Sequence, residues 1–168
     1  FCVYGMLTHL RAFFYWFRGT SARAVRQLVY TDAVAPRAPD VRDGVAADRI
    51  LVLAPHPDDD TLGCGGVLLR ARQRGAAVHI VYCTSGAVDP QGDIARVRER
   101  EAVAVAGALG ATHECWRYPT RGIPLDAGAT DRLRAVVARV RPQAIILPFV
   151  ADDHPDHRQT ALLFAASY

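Results

Sequence analysis

The chain of 168 residues predicts an α/β fold, a mostly parallel sheet with helices on both faces. Three observations carry that expectation. Short, unbroken apolar runs recur along the chain, each closed by a turn-forming residue, which is how strands buried on both faces read. Longer stretches with helical spacing of apolar residues lie between them. The two alternate, and strand–helix–strand alternation implies right-handed crossovers and a Rossmann-like parallel sheet.

The elements follow in order. Arg49-Ile-Leu-Val-Leu-Ala54 is a continuous apolar run stopped by Pro55, as a buried strand would be. Leu62 to Arg74 has helical spacing and is closed by Gly75. Val78 to Cys83 is a second strand, and Asp93 to Leu109 a long helix stopped by Gly110. A short strand over Glu114–Arg117 leads into a loop with Pro119, Gly122 and Pro124, then a helix over Thr130–Val140. Gln143 to Pro148 is the last clear strand, and a helix begins near Pro155. Residues 49–168 therefore form the α/β domain. Residues 1–48 read as an N-terminal extension: an aromatic helix in 1–20 and a proline-bearing linker over 33–48.

Composition narrows the function classes. Apolar residues make up 51% and charged residues 22%, a globular balance. The net charge of +3 comes from arginines scattered along the chain, with no lysine. A nucleic-acid partner would call for a basic stripe interleaved with aromatics, and none is present. Cys2, Cys64, Cys83 and Cys115 form no Cys-x-x-Cys pair and no disulfide-like spacing, so a reducing, cytoplasmic setting is expected. The run Phe13-Phe-Tyr-Trp-Phe17 falls short of the about 20 residues needed to span a bilayer. Packing on the protein is preferred there over an interfacial membrane helix. The chain opens on Phe1 and stops at Tyr168 inside a helical pattern, so a fragment or processed product is expected.

In parallel sheets, ligands bind beyond the carboxyl ends of the strands. The loop after the first strand carries His56-Pro-Asp-Asp-Asp60. Three adjacent carboxylates repel one another unless a positive group holds them, and imidazole with carboxylate is an ordinary ligand set for a divalent cation. His56 and Asp59 can both be aimed at one point by a strand-to-helix turn. The competing expectation is simple helix capping, which Asp60 or Thr61 could supply, yet capping explains neither the histidine nor the third carboxylate. Gly63-Cys-Gly-Gly66 lacks the spacing of a phosphate loop and is expected to let its helix pack closely on the sheet.

The loop after the last strand carries Asp152-Asp-His-Pro-Asp-His157, with Pro155 suited to a first helical turn. One histidine can bind metal while the other faces substrate, and Asp153 and Asp156 can accept hydrogen bonds from ligand imidazoles. His9, His79 and His113 have no acidic or histidine partner nearby in sequence and read as structural or solvated.

Taken together, Ala54-Pro-His-Pro-Asp-Asp-Asp-Thr-Leu-Gly-Cys-Gly-Gly66 and His154-Pro-Asp-His157 resemble the zinc-dependent de-N-acetylases of the LmbE-like or PIG-L family. Cys83-Thr-Ser-Gly86 and Arg98-x-x-Glu101 add to the likeness. The resemblance implies that His56, Asp59 and His157 hold Zn2+, with Fe2+ as the alternative. It implies that Asp58 is the general base, and that His154, steadied by Asp156, stabilises the intermediate or protonates the leaving amine. Arg98 matches a substrate-contacting residue. Arg121 stands where many sugar deacetylases have an acidic contact, Asp60 where the family usually has Glu, and Asp152 where some members have Tyr. The family normally continues past Tyr168, so the sheet is expected to be incomplete. The expected function is removal of an acetyl group from a small N-acetylated amino sugar or sugar conjugate. A metal-dependent phosphoesterase and a non-catalytic sugar- or nucleotide-binding module are the alternatives.

Overall fold

The computed structural model describes residues 44–89 and 91–168. The aromatic helix expected in 1–20 and most of the expected linker lie outside the described residues. Four strands, β1 (Arg49–Ala54), β2 (Ala77–Thr84), β3 (Thr112–Tyr118) and β4 (Ala144–Ile146), alternate with four helices. The helices are α1 (Asp59–Gln73), α2 (Asp93–Leu109), α3 (Ala127–Val140) and α4 (Pro155–Ser167). The sheet order is β3-β2-β1-β4, and every pairing is parallel.

Side chains alternate across a strand, and the two sets in β1 and β2 bury against different helices. Ile50, Val52 and Ile80 pack with Leu68 of α1 and Ala102 of α2. Leu51, Leu53 and Val81 pack with Leu133 of α3 and Leu163 of α4. Burying each such Leu or Ile contributes roughly 1.5–3 kcal/mol, so both faces hold the sheet rigid beneath the loops. Among the described residues no helix is long and apolar enough to cross a membrane.

Several element bounds differ from the sequence expectation. Helix α1 starts at Asp59 rather than Leu62, because Asp58 takes the N-cap position and two aspartates enter the first turn, where the helix dipole favours them. Strand β4 is shorter than Gln143–Pro148 and only half-buried, since β1 is its one partner among the described residues. Gln143 staples its start: Oε1 accepts the N–H groups of Asp48 (2.6 Å) and Arg49 (3.2 Å).

Strand β3 carries a bulge. Tyr82 pairs with Cys115 but Thr84 pairs with Tyr118, which leaves one extra residue on β3. Arg117 absorbs it in the left-handed region, φ 59°, and Glu99 of α2 holds its guanidinium through two bonds of 2.7 and 2.9 Å. A bulge bends its strand, and this one turns the chain into the loop that carries Arg121.

Strand order reverses between β1 and β4, since β2 and β3 continue from one side of β1 and β4 lies on the other. Such a switch point opens a crevice at the carboxyl ends of the strands. The loops after β1 and β4 flank it.

Candidate metal centre

Helix α1 begins within a few residues of the end of β1, so His56 and Asp59 sit on one tight turn. Asp59 Oδ2 takes the backbone N–H of His56 at 2.9 Å and faces His56 Nδ1 at 3.1 Å. The same oxygen lies 3.3 Å from Nε2 of His157, which arrives from α4. Rings of His56, His154 and His157 have centroids 4.8 to 5.5 Å apart. Donor atoms of His56, Asp58 and Asp59 lie within 4.8 Å of one another, as do those of His56, His154 and His157. The five residues expected from the sequence therefore meet.

Two of the donor separations match those of neighbouring ligands on a divalent cation. Tetrahedral ligands about 2.0–2.1 Å from zinc are about 3.3 Å from each other, and Asp59 Oδ2 meets the two imidazole nitrogens at 3.1 and 3.3 Å. The remaining ring nitrogens are held from behind, as ligand histidines require. His56 Nε2 faces Asp156 Oδ2 at 3.0 Å, and His157 Nδ1 faces Asp152 Oδ2 at 3.2 Å. Burial opposes protonation of His56, but hydrogen bonds to Asp59 and Asp156 overcome it and raise its pKa. Burial also works to raise the Asp59 pKa, and the hydrogen bond to His56 with the nearby His157 brings it below the usual value.

The loop after β4 is tied down along its length. Asp152 Oδ1 accepts the His154 N–H at 2.7 Å, and Arg158 Nη1 donates to the carbonyls of Asp152 and Asp153. His154 is the N-cap of α4, and its Nδ1 accepts the Asp156 N–H at 3.2 Å. Burial, and then the neighbouring His56, lower its pKa. A ring that is neutral and accepts at Nδ1 carries its proton on Nε2.

Three expectations are refined or corrected. The Asp156 carboxylate makes no hydrogen bond to the His154 ring: its oxygens meet His56 Nε2 and the Arg121 N–H, while its charge acts on His154 through space and its backbone N–H donates to His154 Nδ1. The chain places His56 and Asp156 100 positions apart, so no spacing rule could pair them. Gly63 and Gly66 do not pack α1 closely on the sheet, because an added Cβ at either would meet nothing within 4 Å. Asp60 caps nothing: it is buried in the first turn and accepts the Tyr82 hydroxyl at 2.8 Å. Asp152, read from sequence only as a departure from the family, proves to be the acceptor that orients His157.

Arg98 comes from α2 and reaches the β1 loop, where Nη2 meets Asp58 Oδ2 at 2.8 Å. Arg121 occupies the third position of the turn Pro119–Gly122 with φ 63°, a conformation that ordinarily selects glycine. Its N–H donates to Asp156 Oδ1 at 2.7 Å. Beside Asp59 and His157, between α1 and β4, a cavity of about 310 Å³ is walled largely by apolar groups such as Ile146 and Phe149.

These features define an α/β protein with a candidate His/Asp metal site at the switch point of a parallel sheet. A family profile described as "PIG-L: GlcNAc-PI de-N-acetylase" matches residues 51–168, and the chain belongs to that family. A deacetylase of 1D-myo-inositol 2-acetamido-2-deoxy-alpha-D-glucopyranoside from Mycolicibacterium smegmatis is 33% identical over 147 residues, which cover 67% of this chain and 50% of that protein. Among solved structures, a conserved protein from Thermus thermophilus superposes with a TM-score of 0.64 at 34% identity, over 72% of this chain and 55% of that one. N,N'-diacetylchitobiose deacetylase from Pyrococcus horikoshii does so with 0.64 at 26% identity, over 73% and 49%. The chain thus spans about half the length of the curated relatives it matches.

Proposed function

We propose that this chain carries the catalytic centre of a metal-dependent hydrolase that removes the acetyl group from an N-acetylated amino sugar or sugar conjugate. The observation that carries the reading is that Asp59 Oδ2 lies 3.1 Å from His56 Nδ1 and 3.3 Å from His157 Nε2, with Asp58 and His154 grouped around the same His56. Relatives that act on such sugars support the substrate class. Two imidazoles and one carboxylate suit Zn2+, with Fe2+ as the alternative. A cation held there supplies Lewis-acid polarisation and acidifies water toward neutral pH.

The residues divide the remaining work. Asp58 accepts the proton of the attacking water. His154 presents its Nε2–H to the acetamide oxygen as charge develops on it, a donor of the kind worth about 3 kcal/mol, and the proton that Asp58 took from water passes to the departing amine. Asp156 and Asp152 keep the rings of His56 and His157 aimed. Arg121, exposed and tied through its N–H to Asp156, contacts the substrate beyond the reacting group, and the apolar cavity gives room beside the site.

The purified protein should bind stoichiometric zinc and release acetate from N-acetylglucosamine derivatives. Asp58→Asn should abolish turnover while zinc stays bound. Undiminished acetate release by that variant would falsify the mechanism, and magnesium-dependent phosphate release without acetate would point to a phosphoesterase.

A further inference from the structure

Asp is among the preferred N-cap residues because its side chain can take a free N–H of the first turn. Asp58 occupies that position at α1 and makes no such bond. Its carboxylate is turned outward to Arg98, and the bonds beyond Arg98 form a closed circuit. Arg98 Nη1 donates to the Gly86 carbonyl at 3.1 Å. The Gly86 N–H donates to Thr84 Oγ1 at 3.0 Å. Thr84, at the end of β2, returns to the β1 loop, since its hydroxyl and N–H both donate to the Pro55 carbonyl, at 3.0 and 2.9 Å. The circuit leaves the loop at Asp58 and re-enters it at Pro55, enclosing the ligand His56.

Gly86 has to be a glycine for this circuit to close. Its φ is +67°, and an added Cβ would collide with Arg98 Nη1 and press on the His56 Cβ at 3.4 Å. The guanidinium fills the space a side chain would take. Its planar fork reaches two acceptors at once, which an ammonium on a flexible stem does less well.

We propose that Arg98 is a positioning residue for Asp58, and that Pro55, Thr84, Gly86, Arg98 and Asp58 act as one unit that fixes the base. This departs from the substrate contact that the family resemblance implies for Arg98, and it rests on the reading of Asp58 as the base. A carboxylate displaced by about 1 Å costs about a hundredfold in rate, while substrate binding and the metal site are left alone.

The test compares the parent protein with Arg98→Ala, Arg98→Lys and Gly86→Ala. Each is assayed for kcat and KM on an N-acetylglucosamine derivative and for zinc content. Arg98→Ala should lower kcat by about a hundredfold with KM and zinc content little changed, Arg98→Lys should recover part of the loss, and Gly86→Ala should lower kcat to a similar degree. A raised KM at unchanged kcat in Arg98→Ala makes Arg98 a substrate contact and overturns the proposal. Loss of zinc along with activity makes it merely structural and does the same. Nitrogen-15 NMR reads the circuit without turnover: the parent should show a slowly exchanging Arg98 guanidinium that Asp58→Asn abolishes. Absence of that signal in the parent refutes the circuit. Its presence in a parent that releases no acetate sinks the deacetylase reading and leaves the circuit standing.

Discussion

The Asp156 carboxylate has no solvent exposure and joins two other elements, facing His56 Nε2 with one oxygen and accepting the Arg121 N–H with the other. It thereby links α4 to the β1 loop and to the turn after β3. Asp156→Asn keeps the volume but removes the charge that favours an oriented, electron-rich His56. Outer partners of this kind are worth about 10- to 100-fold in metal affinity, so zinc titration calorimetry should show a loss of that size. Unchanged affinity would mean that His56 does not ligate. Arg117 and Arg121 make a related point: each holds a left-handed φ, at a cost of roughly 1–2 kcal/mol. In Arg121 the hydrogen bond to buried Asp156 offsets it; in Arg117 the pair with Glu99 fixes the side chain, but being exposed it offsets little.

Helix α1 shows how an element can satisfy the site and yet stay loosely covered. Its N-terminus sits at the crevice with Asp58, Asp59 and Asp60 in or beside the first turn, but Gly63 and Gly66 face open space. A mid-helix glycine is about 1 kcal/mol worse than alanine. Gly66→Ala should therefore stabilise the protein by about that amount, seen as a raised urea midpoint at unchanged slope. A destabilised variant would show that this face is covered after all. The sequence suggested the opposite, because glycines in a helix beside a sheet read as close packing. Which of three consecutive aspartates caps the helix was equally closed to sequence reasoning. All three are good caps, yet none makes a capping bond: Arg98, His56 and Tyr82 engage their carboxylates instead.

Across the whole molecule, the two ends of the sheet behave differently toward protons. At the end away from the site, His79 is buried, with Nδ1 2.8 Å from Thr112 Oγ1. Its Nε2 stands 3.3 Å from Glu114 Oε1 but outside hydrogen-bonding geometry. Burial lowers its pKa, with Arg139 adding to the effect against Glu114. A histidine kept neutral in the fold binds its proton more readily when unfolded. Stability from this group is thus complete above the ordinary value of 6.5 and is lost as pH falls through the folded value below it. His56 has the opposite sign, because Asp59 and Asp156 raise it, so the comparison belongs between the parent and His79→Asn. Urea unfolding on either side of pH 6.5 should show a steeper acid decline in the parent than in the variant. Equal slopes would contradict a neutral His79.

The parallel α/β layout and the five candidate residues that the fold clusters could be read from sequence, for a local reason. A buried parallel strand needs an unbroken apolar run, and a histidine between prolines next to three carboxylates has few uses besides a cation. What stands behind each of those residues was settled only by the fold. The partners of His56, Asp58 and Arg121 come from helices distant in sequence, and a side chain's direction across a crevice depends on crossover, bulge and strand order rather than on neighbours in the chain.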